Sequence, residues 1–223
     1  MQGLENLRLR LKNACESVDR NATEVRLLAV GKKHPASRLR ELYDQGQRGF
    51  GENQLQEARQ KQLELADLDI EWHFIGHIQS NKSSTLARYF DWVQSVDRVK
   101  VLNSLSAHRP GSLAPLNICL QINIDREEQK SGLLPEQVAA MAKLASGLPG
   151  IRLRGLMALP RISIVAAETS RSFAAVKAIY DELCEQGFDL DTLSMGMSSD
   201  LESAVEQGST MVRVGTDLFG PRP

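Results

Sequence analysis

Leu116-Asn117-Ile118-Cys119-Leu120-Gln121-Ile122-Asn123-Ile124 decides the fold. The run is rich in β-branched residues and alternates well, so it reads as a strand. Working outward, similar short runs recur, separated by longer stretches with helical periodicity. Upstream they cover residues 26–32, 49–52, 71–76 and 91–96; downstream, 151–159, 192–195 and 211–215. The chain opens on a helix, with Leu4, Leu7, Leu11 and Ala14 at helical spacing. Another helix starts at Pro35-Ala36-Ser37, runs to about Gln45 and is stopped by Gly46. Asn53 suits the cap of the next, and a long helix runs through Phe173 to Glu185. Eight strands alternating with helices predict an α/β fold, a single closed (β/α)8 barrel of the TIM type, over an open doubly wound sheet. The 223 residues suit one such barrel, which takes about 200–250. Residues 1–223 are expected to form one domain, with a helix over 1–20 packed on it.

Composition narrows the function classes. Lys plus Arg number 27 and Asp plus Glu 28, a net charge of −1, which gives no reason to expect nucleic acid or an anionic membrane as partner. No apolar run approaches the roughly 18 residues of a membrane span. The first 20 residues are charged throughout, unlike a signal peptide. Cys15, Cys119 and Cys184 are far apart and odd in number, which suggests free thiols in a reducing compartment. The expected location is the cytoplasm.

A barrel carries its active groups where strands end and loops begin. Lys32 closes the first strand, after the apolar run Leu27-Leu28-Ala29-Val30. Burial at the barrel mouth disfavours its ammonium form and releases a nucleophilic amine suited to condensing with an aldehyde. A solvated lysine is the plainer reading of position alone. Alternation sends Lys33 to the other side. After the seventh and eighth strands, Ser198, Gly215 and Thr216 supply the hydroxyls and approachable backbone of a phosphate cradle, a common arrangement in barrels. Two ordinary capped turns would look similar. Strands one and eight are neighbours in a closed barrel, so an amine beside a phosphate cradle describes a phosphorylated aldehyde, with pyridoxal 5′-phosphate (PLP) the obvious candidate. Arg213 then points toward the ligand ring. There it keeps the pyridine nitrogen unprotonated and makes the ring a weak electron sink.

At this point the sequence resembles the pyridoxal phosphate homeostasis protein family, whose fold is similar to the barrel domain of alanine racemase (PLP fold type III). The resemblance spans nearly the whole chain. It is carried by Leu28-Ala29-Val30-Gly31-Lys32, Phe50-Gly51-Glu52-Asn53, Trp72-His73-Phe74-Ile75-Gly76-His77-Ile78-Gln79-Ser80-Asn81-Lys82, Lys130-Ser131-Gly132, Arg154-Gly155-Leu156-Met157, Leu193-Ser194-Met195-Gly196-Met197-Ser198 and Val212-Arg213-Val214-Gly215-Thr216. It implies a Schiff base on Lys32, phosphate held by Ser198, Gly215 and Thr216, Arg213 beside the ring, and Asn53 and Met195 lining the pocket. It also implies a role in vitamin B6 supply and amino-acid balance, with no firm reaction assigned. Gly31, Lys33-His34, Gln54 and Ser199 depart from the family pattern, around the pocket mouth.

The expected function is a PLP carrier that buffers the cofactor or delivers it to PLP-dependent apo-enzymes, acting as a monomer. The alternative is a racemase-like enzyme of weak activity. Two-base racemisation needs a second acid/base group, in alanine racemase a partner subunit's tyrosine. Here Tyr43, Tyr89 and Tyr180 fall on or next to helices, and the chain reaches Pro223 just after the eighth strand, leaving no room for that enzyme's β domain. A third reading is non-covalent binding of another phosphorylated metabolite. His73 and His77 are expected on a strand and its loop, oriented by hydrogen bonds, and no metal site is expected. Lys82 could help draw in a phosphorylated ligand. The polar run 125–130 reads as a rim after the fifth strand.

Overall fold

Each apolar run becomes a strand because its neighbours supply both ladders. The computed structural model describes residues 2–161 and 165–220. Residues 1, 162–164 and 221–223, to which the expected span 1–223 and opening helix 1–20 extend, lie outside the described residues. The strands are β1 (Arg26–Val30), β2 (Gly49–Glu52), β3 (Glu71–Phe74), β4 (Trp92–Val96), β5 (Leu116–Ile122), β6 (Ile151–Ala158), β7 (Thr192–Ser194) and β8 (Met211–Val214). They close into a barrel in chain order. β1 pairs in parallel with both β2 and β8, through Ala29 opposite Phe50 and Leu28 opposite Arg213. The expected closed (β/α)8 barrel is therefore present. Several strands stop short of their predicted ends because pairing lapses at the mouth. The Gly31 N–H still reaches Gly51 O, at 3.0 Å, but the Gly31 carbonyl then accepts from His34 N as the chain turns.

The α-helices among the described residues are α1 (Gln2–Glu16), α2 (Ala36–Asp44), α3 (Leu55–Glu64), α4 (Ser83–Tyr89), α5 (Val99–His108), α6 (Val138–Ser146), α7 (Ala166–Glu185), α8 (Leu201–Glu206) and α9 (Thr216–Phe219), with short 3-10 turns at Ala22–Glu24, Ser80–Lys82 and Pro135–Gln137. The main core lies between strands and helices. α1 contributes the predicted stripe: Leu4, Leu7, Leu11 and Ala14 are all buried, each leucine worth about 2 kcal/mol. α2 buries Ala36, Leu39 and Leu42, and Gly46, at φ +89, turns the chain out of it. α3 begins later than expected. Its cap is Gln54, without a side-chain bond, so Asn53 is not the cap and stays at the mouth. None of the helices among the described residues is long and apolar enough to cross a membrane.

Barrel interiors are usually filled by branched aliphatic side chains. Here Trp92, Cys119 and Met157 form a small cluster apart from the main core, and polar His73, Gln94, Ser194 and Arg213 are buried with them in the interior, Gln94 also touching Met211. The run 125–130 is fastened at the rim: Asn123 Nδ2 donates to Glu127 O, and Lys130 Nζ to Pro160 O at 3.2 Å.

Candidate functional site

The C-terminal strand ends surround a cavity of ≈ 610 Å³. That is within the range of about 300–1,000 Å³ typical of small-molecule sites. Its lining comes from the segments after β1 (Lys32, His34), β2 (Asn53), β3 (Ile75, Gly76), β6 (Leu159), β7 (Met197, Ser198, Ser199) and β8 (Gly215, Thr216, Asp217, Gly220), with Val30 and Arg213 from the strands themselves. Six of the seven predicted residues thus meet at one cavity: Lys32, Asn53, Ser198, Arg213, Gly215 and Thr216.

The seventh does not. Met195 is fully buried in the main core. Ser194 faces the barrel interior, where its hydroxyl bonds Gln94, so alternation turns Met195 outward. Gly196, at φ +95, then redirects the chain, and Met197 reaches the cavity instead. Lys33 is exposed and off the cavity, as expected, but the cause is a turn rather than alternation. Residue 33 lies beyond the last strand residue, at φ +64, with its N–H on Glu57 Oε1 at 2.6 Å.

Sequence reasoning did not single out Gly76, Met197 or Asp217 as cavity residues, and it put His34 only among the departures around the pocket mouth. His34 is buried and stacks on Phe219, ring centroids 4.8 Å apart. Its position two residues after Lys32 was the available signal. Gly76 is required sterically: a Cβ there would sit 2.1 Å from the Asn53 carbonyl oxygen, so a side chain would dislodge Asn53 from the mouth. Lys82 is exposed in a neighbouring depression that shares Asn53 and Gly76 with the cavity.

Arg213 is 4% exposed and held by three hydrogen bonds. Nη1 donates to the Ser194 carbonyl and hydroxyl, both at 2.6 Å, and Nη2 to Ala158 O at 2.8 Å. Burial lowers its pKa to about 10, which leaves it charged at neutral pH; Asp200 opposes the shift. Behind it a chain of bonds crosses the barrel. Ser194 Oγ donates to Gln94 Oε1 at 2.7 Å. Gln94 Nε2 meets His73 Nδ1 at 2.8 Å, and His73 Nε2 meets Glu71 Oε1 at 2.7 Å. Arg26 closes the chain on Glu71 at the opposite face of the barrel. Donation runs from Arg213 through Ser194, Gln94 and His73 to Glu71, which also accepts from Arg26, with His73 neutral and its proton on Nε2.

This chain has a pH signature. Burial drives the His73 pKa down from 6.5. Glu71, held by His73 and Arg26, drops from 4.5 to about 2 despite its burial. Both folded values lie below the unfolded ones, so their contribution is complete above pH 6.5 and is lost as pH falls through that value and on toward 2. His73→Gln is expected to flatten the first part of the decline, read as urea midpoints against pH; a curve as steep as wild type below pH 6.5 would contradict this.

His73 and His77 sit where expected, on β3 and the loop after it, but His73 is fully buried inside the barrel. His77 is exposed and bonds Ser131 Oγ at 2.9 Å. Tyr43, Tyr89 and Tyr180 lie on α2, α4 and α7, and none of them lines the cavity.

The profile of the family described as "Alanine racemase, N-terminal domain" matches residues 4–223. The "Pyridoxal phosphate homeostasis protein" of Pseudomonas aeruginosa is 48% identical over 221 residues, 99% of this chain and 95% of that protein. Among solved structures, PipY of Synechococcus elongatus PCC7942, with PLP bound, is 39% identical at a TM-score of 0.83, covering 94% of this chain and 100% of that one. An alanine racemase of Clostridium difficile superposes at a TM-score of 0.76 with 15% identity, over 98% of this chain and 56% of that one, a likeness of fold alone. Matched over nearly its whole length by both profile and relatives, the chain belongs to the alanine racemase N-terminal domain family and, within it, to the pyridoxal phosphate homeostasis proteins.

Proposed function

We propose that this protein binds PLP covalently through Lys32 and serves intracellular PLP homeostasis, buffering the cofactor or delivering it to PLP-dependent apo-enzymes. The observation that carries the reading is that Lys32, the hydroxyls of Ser198 and Thr216, and charged Arg213 all line one cavity. A relative 39% identical to this chain has been solved with PLP bound. When bound, the cofactor brings an aldehyde that condenses with a primary amine and releases water. Lys32 supplies that amine. Ser198, Gly215 and Thr216 hold the phosphate, and Asn53 and Met197 flank the ring, with Met195 supporting them from the core. Val30, Ile75 and Leu159 provide apolar walls that exclude water. Arg213 keeps its own proton and so disfavours a second positive charge on the ring nitrogen. That arrangement suits holding a cofactor better than stabilising a carbanion. The protein works as a monomer in the cytoplasm, the barrel acting as one unit.

None of the three tyrosines lines the cavity, so a two-base racemase would have to take its second acid/base group from a partner subunit. The purified protein mixed with PLP is expected to turn yellow, and borohydride to fix one cofactor on Lys32, located by peptide mass. Pyridoxal without its phosphate is expected to bind far more weakly. Deuterium entering Cα of a single amino-acid enantiomer at an enzymatic rate would overturn the carrier reading. Tight binding with no reducible linkage would favour another phosphorylated metabolite.

A further inference from the structure

Lys61 is a lysine where a hydrophobic residue would be expected. It projects from α3 and is only 4% exposed. Nζ donates to Glu52 Oε1 (2.7 Å), Glu57 Oε1 (2.6 Å) and the Gly31 carbonyl (2.7 Å), which uses all three of its protons. Glu57 Oε1 also accepts the Lys33 N–H, at 2.6 Å. The backbone is therefore gripped on both sides of Lys32, and the grip on Lys33 holds a non-glycine residue at φ +64. Position 31 leaves room for this. A Cβ there would sit 2.7 Å from Glu52 Oε1 and 3.0 Å from Leu39 Cδ1, so any side chain would press on the cluster. Burying the Lys61–Glu52 ion pair, with Glu57 half-buried beside it, is a poor route to stability, since well-packed apolar residues of similar volume often do as well or better. What such a cluster does supply is a fixed origin for the side chain between its two anchor points.

We propose that Lys61, Glu52 and Glu57 are positioning residues for the Lys32 amine, holding the Gly31–Lys33 backbone so that Nζ reaches the cofactor aldehyde; this rests on the function proposed above. Glu52 also makes the device sensitive to pH. It is fully buried, and its Oε2 has no partner among the described residues. Burial raises its pKa from 4.5 to about 7, against the pull of Lys61. The charged groups facing it are Lys61 and Glu57 on α3. From the β1–α2 side its Oε1 lies against Gly31, which does not titrate. Above about pH 7 the cluster is fully ion-paired, and below it Lys61 loses one charged partner.

The test separates reach from cavity shape. Lys61→Met keeps the length of the side chain and removes its donors. Growth of the yellow band after mixing with PLP is expected to slow roughly tenfold or more, as for a displaced nucleophile. Binding of pyridoxine 5′-phosphate, which has no aldehyde, is expected to stay within about twofold of wild type, far from the tenfold that 1.4 kcal/mol produces. Wild-type linkage rates in Lys61→Met overturn the proposal. So does an equal fall in both readouts, which would mean the cavity itself had changed. Glu52→Gln keeps the shape and the acceptor, and carries the test if Lys61→Met does not fold. Its linkage rate is expected to lack the wild-type inflection near pH 7, and superimposable pH profiles overturn the proposal. A wild-type protein that forms no linkage at all sinks the cofactor reading first, and this proposal with it.

Discussion

Lys32→Ala is expected to yield a colourless protein from which borohydride recovers no cofactor adduct. Lys32 is half-buried at the cavity, where Val30 and Ile75 supply apolar lining. Two other lysines lie within a turn or a helix of it, and neither can substitute. Lys33 faces outward through its left-handed turn. Lys61 is committed to Glu52, Glu57 and the Gly31 carbonyl behind the loop. Truncating a side chain that lines an open cavity should change stability by less than about 1 kcal/mol. Ser198, Gly215 and Thr216, proposed to hold the phosphate, are untouched, so weak, reversible binding of PLP should persist. Mass analysis after reduction decides the matter: an adduct of full stoichiometry at another lysine would refute the assignment of Lys32.

Arg213→Leu is expected to have the second largest effect, on stability and colour together. The guanidinium donates to two buried carbonyls, Ser194 O and Ala158 O, and to the Ser194 hydroxyl. Leucine leaves those acceptors unsatisfied in a dry interior. Each orphaned group costs about 1–3 kcal/mol, partly offset by relief from burying the charge, for a net loss of about 2–4 kcal/mol by urea titration. The optical effect follows from removing the charge proposed to lie beside the ring. Without it the ring nitrogen can take a proton, and the yellow band should acquire a pH dependence that wild type lacks. A variant with wild-type colour at every pH would mean that Arg213 does not lie against the ring. Unchanged stability would mean that water replaces its bonds.

Much of the site was legible because a barrel puts its chemistry at strand ends, and strand ends are local features. Lys32 after Leu27–Val30, and Gly215-Thr216 after β8, can be found by counting along the chain. Met195 shows how narrow that margin is: one step of alternation puts it in the core, and Met197 takes its place. Asn53 shows the same at a helix start, where a shift of one residue turns a supposed cap into a cavity wall.

By itself, the sequence determined the eight strands, the amphipathic α1 and the order of elements, because side-chain periods of 2 and 3.6 residues report burial within a single element. Only the tertiary structure decided which polar groups share the interior. His73, Gln94 and Ser194 lie 21 and 100 residues apart, and Lys61 meets Gly31 across 30. Such pairings carry no periodic signal. They exist because closing β1 onto β8 and laying α3 against β2 bring buried donors and acceptors together, where each must find a partner or bear the full penalty of lost water.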